Sequence, residues 1–166
     1  MDIIIRDITK EDYPFVLKLN EENVEVLSPM DDEQINYFSK HAALFKIVEV
    51  DGKRAAFLIA MREGTDYWSE NYIWFSNRYE RFLYVDRIVI DVPYRKLGIG
   101  RKLYGLVAEQ GMAQGVSVIT AEVDTEPIYN NTSLEFHRVM GFKEVGEQYV
   151  RNGTIKVSLQ AKEQMH

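Results

Sequence analysis

The feature that most constrains the fold is a strand, a turn, a helix and a second strand in residues 82–123. The run FLYVDRIVI at residues 82–90 is mostly apolar, which is typical of a strand buried on both faces. Residues 99–114 repeat apolar side chains at helical spacing and end before Gly115, and residues 116–123 form a second strand pattern. Strands joined in this way are expected to be parallel with a right-handed crossover, so the sequence predicts a mixed α/β chain.

Shorter signals place further helices and strands on both sides of this unit. Thr9 followed by Asp12 resembles a capping box at the start of a helix near residues 10–21. Asp51-Gly52 joins two β-rich runs and is a strong hairpin signal. The other expected elements are a strand at residues 3–5, a helix at 32–40, strands at 44–50 and 54–61, a helix at 132–140, and a hairpin of strands at 142–150 and 154–159.

An aromatic segment at residues 64–82, GTDYWSENYIWFSNRYERF, has no clean period of two or 3.6 residues. We therefore expect a long, partly ordered loop. Long loops in compact domains often act as lids or binding elements, whereas most aromatic side chains are local packing. For any single aromatic residue of the segment, packing is the favoured interpretation.

Length and composition bound the class of protein. The 166 residues fit one domain, residues 1–166, and the apolar fraction of 46% with a charged fraction of 28% is that of a globular chain. No apolar run reaches the length of a membrane span, and the charged start of the chain does not resemble a signal peptide, so we expect a cytoplasmic protein. The net charge of −6 argues against a nucleic-acid surface.

Metal and thiol chemistry have little support in the composition. The chain has no cysteine, which excludes disulfides, thiolate zinc sites and a cysteine nucleophile. Its histidines are His41, His137 and His166, without an HExxH motif. We therefore expect no metal.

The stretch PYRKLGIGRKL at residues 93–103 combines two glycines with four basic side chains where a strand passes into a helix. The first N–H groups of a helix form an anion site with the helix dipole, and glycines let a phosphate come close. A solvated basic turn explains the same spacing equally well. The third glycine of a dinucleotide fingerprint and the ending of a Walker loop are both absent, so neither NAD nor ATP is favoured.

Two motifs resemble those of the GNAT acetyltransferases. RKLGIG at residues 95–100 is similar to the family's Q/R-x-x-G-x-G/A signature between a buried strand and a helix. NNTSLEFHRVMGF at residues 130–142 is similar to its later N-x-x-A/S-x-x-L/F-Y/H-x-x-x-G-F segment. The order of elements agrees from residue 3 to about residue 161. The resemblance implies a central, mostly antiparallel sheet with a parallel strand pair around the cofactor site, flanked by about four helices.

The resemblance also implies acetyl-coenzyme A as cosubstrate. Its pyrophosphate would lie on the backbone of residues 96–101, and its pantetheine arm along the strand at residues 82–90. The Ile88 N–H would face the acyl carbonyl, where a backbone donor stabilises a developing oxyanion. The implied cofactor contacts are Ile88, Val89, Ile90, Arg95, Lys96, Leu97, Gly98, Ile99, Gly100, Arg101, Asn130, Ser133 and His137.

Two side chains are candidates for proton transfer, beside the Ile88 N–H as the third catalytic group. Asp86 shares a strand face with Ile88 and is the candidate general base, directly or through a water. A structural pair with Arg87 or another basic residue, or a helix cap, is an equal alternative. His137 stands where many GNAT members have tyrosine. It is the candidate proton donor to the leaving thiolate, or else a packed histidine that donates to a backbone carbonyl.

The acceptor is the least specified part of the expected site. Candidate substrate contacts are Tyr72, Trp74, Tyr84 and Asp86. The resemblance implies direct transfer to a primary amine of a small-molecule or peptide acceptor. We expect a monomer or homodimer that binds neither nucleic acid nor membrane. The alternatives are a coenzyme A-binding module of the same fold without catalysis, and a basic-loop interaction domain without nucleotide.

Overall fold

The computed structural model describes residues 1–24 and 27–164, and within them the chain forms seven strands and five α-helices. The strands are β1 (Ile3–Asp7), β2 (Leu44–Val50), β3 (Lys53–Arg62), β4 (Leu83–Ile90), β5 (Val118–Glu126), β6 (Lys143–Val150) and β7 (Ile155–Glu163). The helices are α1 (Tyr13–Glu21), α2 (Asp32–His41), α3 (Glu70–Arg78), α4 (Ile99–Ala113) and α5 (Asn131–Val139). His166 lies outside the described residues.

The strands form one sheet in the order β1-β2-β3-β4-β5-β7-β6. The pairs β1–β2, β2–β3, β5–β7 and β6–β7 are antiparallel. β4 and β5 pair in parallel through Leu83 opposite Ile119 and Tyr84 opposite Thr120. The mixed sheet with a parallel strand pair is therefore confirmed, and α4 connects the two parallel strands as predicted.

The chain divides into two compact units, Met1–Met61 with Val85–Leu106 and Arg62–Tyr84 with Val107–His166. Each unit buries apolar side chains of its own. Fully buried residues of the first unit include Ile35, Phe38, Ile47, Phe57, Ile59 and Leu103, and those of the second include Tyr72, Phe75, Phe82, Leu83, Val107 and Leu159. A single domain over residues 1–166 stays a prediction.

A buried carboxylate, Asp12, holds the turn that follows β1. Its fully buried side chain accepts hydrogen bonds from Arg6 Nη1 at 2.8 Å and Arg54 Nε at 2.7 Å. The Thr9 N–H donates to the same carboxylate at 2.8 Å, within the predicted capping box. These donors, Arg6 first, hold the pKa of Asp12 well below its usual range. The Asp12 carboxylate thus links β1, the turn and β3 through its hydrogen bonds.

The β2–β3 hairpin turns at the predicted Asp51-Gly52. Their φ angles are 50° and 80°, and a type I′ turn requires positive φ at both central residues. The pairing runs from Leu44 opposite Ala60 to Val50 opposite Lys53. This prediction is confirmed.

The aromatic segment contains a helix, α3, so the prediction of a loop is wrong for its central part. α3 begins after Ser69, whose Oγ accepts a hydrogen bond from the Tyr72 N–H at 3.3 Å. Tyr72 and Phe75 lie one turn apart on the buried side. Ile73 is 46% exposed, and such apolar residues on the outer side hide the helical period in the sequence.

The other predicted helices are confirmed with small differences at their ends. The helix expected at residues 10–21 begins with a 3-10 turn at Lys10–Asp12 and continues as α1. α5 spans one residue earlier at each end than the expected 132–140. Within the described part of the chain, no helix combines the length and the apolar character needed to cross a bilayer.

Candidate functional site

The glycine turn, residues 95–101, follows β4 and includes the first three residues of α4. Arg95, Lys96 and Gly98 are exposed, whereas Ile99 is buried. Gly98 has a φ of 79° and Lys96 a φ of 67°, so two residues of the turn are left-handed. Among the described residues, no atom beyond its chain neighbours lies within 4 Å of the position that a Gly98 Cβ would take. A ligand can therefore approach this backbone closely.

The N-terminus of α4 supplies the donors of the turn. The first hydrogen bond of the helix runs from the Lys102 N–H to the Gly98 carbonyl at 3.1 Å. The N–H groups ahead of it have no intrahelical partner, and the helix dipole favours an anion there. Arg95 and Arg101 are exposed. The turn can thus hold a phosphate through its backbone, with screened attraction from the side chains.

The end of β4 leads into this turn. Arg87 and Val89 are buried, whereas Ile88 and Ile90 are half-buried. The Ile90 carbonyl accepts a hydrogen bond from Arg95 Nε at 3.2 Å, so the turn is tied back to the strand. Contact of these residues with the pantetheine arm, and the role of the Ile88 N–H, stay predictions.

Asp86 is part of a buried ion pair. Its Oδ2 accepts a hydrogen bond from Arg87 Nε at 2.6 Å, and the two side chains are 4% and 5% exposed. Arg87 Nη1 also donates to Asn20 Oδ1 at 2.8 Å and to the Ser28 carbonyl at 3.1 Å, while its guanidinium lies over the Phe38 ring. Both charges are compensated within the pair. This geometry favours the structural interpretation of Asp86 over the general base.

His137 is packed inside α5 against the rings of Phe136 and Phe142. Its Nδ1 lies 2.7 Å from the Ser133 carbonyl, which can only accept, so Nδ1 carries a proton. Burial lowers the pKa of His137 below its ordinary value of 6.5, and the bond to Ser133 opposes this shift. A neutral ring protonated on Nδ1 has no Nε2 proton to donate. The geometry therefore favours the packed histidine.

Asn130 caps α5. Its Oδ1 accepts a hydrogen bond from the Ser133 N–H at 3.1 Å. This is one of the roles open to an asparagine before a helix. Contact of Asn130 and Ser133 with the coenzyme stays a prediction.

Tyr72 and Trp74 are engaged in packing. Tyr72 is 2% exposed, and its hydroxyl donates to the Arg62 carbonyl at 2.6 Å and accepts from Thr65 Oγ1 at 2.9 Å. The Arg78 guanidinium lies 5.6 Å from the centroid of the Trp74 ring. Their predicted role as substrate contacts stays untested, and these contacts favour the packing interpretation.

Four side chains of the second unit form a hydrogen-bonded group, the carboxylate network, of Asn71 (α3), Tyr84 (β4), Glu122 (β5) and Gln148 (β6). Glu122 Oε1 accepts from the Tyr84 hydroxyl and from Asn71 Nδ2, the latter at 3.0 Å. Gln148 Nε2 donates to Asn71 Oδ1 at 2.8 Å. Tyr84 is buried and Glu122 half-buried. Two donors thus hold the Glu122 carboxylate in orientation on a half-buried residue, an arrangement that suits a general base.

Glu122 was not among the residues predicted from the sequence. The signal available was an acidic residue inside a strand pattern, which by itself indicates only a polar edge. Its partners come from segments far apart in the chain, and the pairing of Tyr84 with Thr120 brings them together. Sequence periodicity does not contain that register.

The residues predicted for the site divide between the two units. The first unit holds Asp86, Ile88, Val89, Ile90 and residues 95–101, and the second holds Tyr72, Trp74, Tyr84, Asn130, Ser133 and His137. In residues 1–24 and 27–164, no group of three His, Asp or Glu side chains is arranged to hold a metal ion.

Comparison with models of protein families identifies the family of the chain. The model of the acetyltransferase (GNAT) family matches residues 4–142. The chain belongs to the GNAT acetyltransferase family. The resemblance of the two sequence motifs is thereby confirmed, and membership supports acetyl transfer as the activity of this GNAT chain. No curated protein matches the GNAT chain in sequence.

Solved structures share the fold of the GNAT chain at low sequence identity. Ard1 from Thermoplasma volcanium is 14% identical with a TM-score of 0.79, covering 100% of each chain. The ribosomal-protein-S18-alanine N-acetyltransferase from Escherichia coli is 17% identical with a TM-score of 0.73, covering 99% of this chain and 96% of that one. Arabidopsis thaliana Naa50, solved with the bisubstrate analogue CoA-Ac-MVNAL, is 15% identical with a TM-score of 0.74, covering 98% and 99%. At these identities the likeness shows the fold alone.

Proposed function

We propose that the chain is an acetyl-coenzyme A-dependent N-acetyltransferase that acetylates a primary amine of a small-molecule or peptide acceptor. The observation that carries this proposal is the open glycine turn at the N-terminus of α4, in a chain of the GNAT family. Structures of the same fold that hold a coenzyme A bisubstrate analogue, or a Gag peptide with CoA, support this choice of ligands.

In this proposal the glycine turn binds the coenzyme. The backbone N–H groups of residues 96–101 hold the pyrophosphate, and the open space above Gly98 admits it. Acetyl-coenzyme A would supply a thioester: the amine nitrogen forms the C–N bond and loses a proton, the C–S bond breaks, and coenzyme A leaves as a thiolate that takes up a proton from solvent. The Ile88 N–H donates to the acyl oxygen as negative charge develops, a contribution of about 3 kcal/mol.

Glu122 takes the proton of the attacking amine. A primary ammonium must lose a proton before its nitrogen can attack, because a Lys-like amine has a pKa near ~10.4 and is charged at neutral pH. The Tyr84 and Asn71 donors orient the Glu122 carboxylate for this step. Asp86 is the alternative base, weakened in that role by its ion pair with Arg87.

A coenzyme A-binding module without catalysis is the second candidate. It is favoured by the engagement of both side chains first predicted to move protons, since Asp86 is paired with Arg87 and His137 is packed in α5. In that case the glycine turn binds the coenzyme and no amine is acetylated.

Thermal melting with acetyl-coenzyme A, coenzyme A and NAD in parallel tests both candidates. A ligand that binds the folded state raises the melting temperature, so we expect a rise with either coenzyme A species and none with NAD. Thiol release is then followed across polyamines, amino acids and peptide N-termini. Release identifies the enzyme, a melting shift without release identifies the module, and the absence of any shift contradicts both.

A further inference from the structure

β6 carries a glycine where a neighbouring indole leaves no room for a side chain. A Cβ built on Gly146 would lie 2.4 Å from Cζ2 of Trp74 and 2.8 Å from its Cη2. Non-bonded carbon atoms pack best at about 3.5–4.0 Å. The Trp74 ring therefore lies directly on the backbone of β6, and glycine is the residue that this contact admits.

Gly146 is needed for space rather than for backbone conformation. Glycines with positive φ in the described chain have values from 72° to 97°, and Gly146 is not one of them. The pairing of β6 with β7 shifts register between Glu144 and Gly146. Glycine inside a strand often marks the close approach of another group, which here is the indole.

Trp74 is one of several α3 residues that contact β6 and the turn after it. Gln148 Nε2 donates to Asn71 Oδ1 at 2.8 Å, and the Arg151 N–H donates to a carboxylate oxygen of Glu70 at 3.2 Å. Asn71 and Trp74 are three residues apart and so lie on one side of the helix. The packing position of Trp74 against β6 thus determines the position of the Asn71 side-chain amide.

We propose that Gly146 and Trp74 are positioning residues for Glu122, an inference that rests on the proposed function. Asn71 donates to Glu122 at 3.0 Å while it accepts from Gln148, so any displacement of α3 acts on the carboxylate. An N–H···O bond has little slack beyond about 3.2 Å. Trp74 then acts through packing and does not line the acceptor pocket.

The test is Gly146→Ala in the full chain, assayed with acetyl-coenzyme A and an amine identified by thiol release. The methyl must displace Trp74, so we expect kcat to fall by about tenfold or more with an unchanged KM for acetyl-coenzyme A. A carboxylate that loses a donor has a higher pKa, so the acid limb of the kcat profile moves to higher pH. A variant that is only less stable would keep both its kcat and the pH profile of kcat at temperatures below its melting temperature.

A rescue variant and a matched control make the test specific. Phenylalanine lacks the Cζ2 and Cη2 atoms of Trp74 that the methyl meets, so Gly146→Ala/Trp74→Phe should recover most of kcat and the original pH profile. Gly105→Ala adds the same methyl at an exposed position of α4, where no atom of the described residues outside the local helix lies within 4 Å. Its activity should be that of the unmodified chain.

The Asn71 side-chain amide, observed by ¹⁵N NMR without substrate, separates this inference from the proposed function. Its resonances should shift in Gly146→Ala and return in the rescue variant. If they shift but the unmodified chain acetylates no amine, the proposed function fails and the positioning of Asn71 stands. Unmoved resonances or an unchanged kcat in Gly146→Ala overturn the inference.

A comparison among folded variants covers the case in which Gly146→Ala does not fold. The rescue variant is then compared with Trp74→Phe alone, where the methyl should fill part of the space that the indole leaves. We expect a higher melting temperature and a higher kcat in the double variant. The reverse order overturns the inference.

Discussion

The glycine turn offers backbone groups to a ligand, whereas the carboxylate network offers side-chain groups. The turn is a run of consecutive residues, 95–101, whose donors are backbone N–H groups and whose basic side chains are exposed. The network takes one side chain from each of α3, β4, β5 and β6. A backbone site tolerates a change of side chain and fails when a group intrudes. A side-chain network fails when one functional group is replaced.

Gly98→Glu is the change with the largest expected effect, because it puts a carboxylate where the turn would hold a phosphate. Like charges about 4 Å apart repel by about 4 kcal/mol at an effective dielectric constant of about 20, or roughly a thousandfold in affinity. We expect coenzyme A to produce no thermal shift and no heat of binding by calorimetry. Retained affinity would contradict the placement of the pyrophosphate.

Gly52→Glu is the matched control for charge and backbone strain. Gly52 has a φ of 80° against 79° for Gly98, and at neither position does a described residue beyond its neighbours come within 4 Å of a Cβ. Both variants should lose stability from the strained φ. Only Gly98→Glu should lose coenzyme binding.

Glu122→Gln replaces one functional group of the network and keeps its shape. We expect kcat to fall roughly 100- to 10,000-fold, since a general base contributes that much, while the thermal shift with coenzyme A is unchanged. Asp86→Asn should instead lower stability by roughly 3–5 kcal/mol, because the buried Arg87 loses the carboxylate that balances its charge. Steady-state kinetics and denaturant unfolding of both variants measure the two effects.

The opposite result would remove the proposed general base from the carboxylate network. Full kcat in Glu122→Gln with a large loss in Asp86→Asn, at unchanged stability, assigns the base to Asp86. The proton-accepting group would then lie on the strand that leads into the glycine turn.

His137→Gln tests whether a predicted catalytic side chain belongs to packing, with a smaller expected effect. The pKa of His137 is lowered by burial, so the unfolded chain binds a proton more readily than the folded one. The neutral ring therefore stabilises the fold fully above pH 6.5, and this contribution is lost as pH falls below 6.5 towards the folded-state pKa. His137→Gln should flatten that part of the melting curve against pH and keep kcat above pH 6.5. A kcat loss of roughly 100-fold or more would support the proton donor.

Arg101→Ala has the smallest expected effect and sharpens the contrast with Gly98→Glu. Arg101 is exposed, so its attraction for a phosphate is worth about 1 kcal/mol or less and is screened by salt. We expect a few-fold weaker binding of coenzyme A that disappears at high ionic strength. A salt-independent loss above about tenfold would mean that the side chain, not only the backbone, holds the anion.

The same contrast explains what the sequence could predict. The glycine turn was found because its residues are adjacent and their spacing is itself the motif. The strands and helices around it were found because apolar residues recur with the period of each element. Local physics was sufficient for these parts.

α3 and Glu122 were missed because their evidence is not local. The buried stripe of Tyr72 and Phe75 is interrupted in the sequence by Ile73 and Trp74, which face elsewhere. Glu122 gains its partners through strand register and through the docking of a helix from another segment. The resemblance to the GNAT family supplied the predicted cofactor contacts, and the packing of this chain favours structural roles for Asp86 and His137.

The contact between Gly146 and Trp74 also constrains how the sequences of homologues can evolve. Any homologue that carries a side chain at the position of Gly146 has to carry a smaller residue than tryptophan at position 74, or dock this helix differently. The two positions should therefore substitute together across homologues, although 71 residues separate them in the chain. A homologue with alanine at the first position and an intact tryptophan at the second should have lost the orientation of the carboxylate at the position of Glu122.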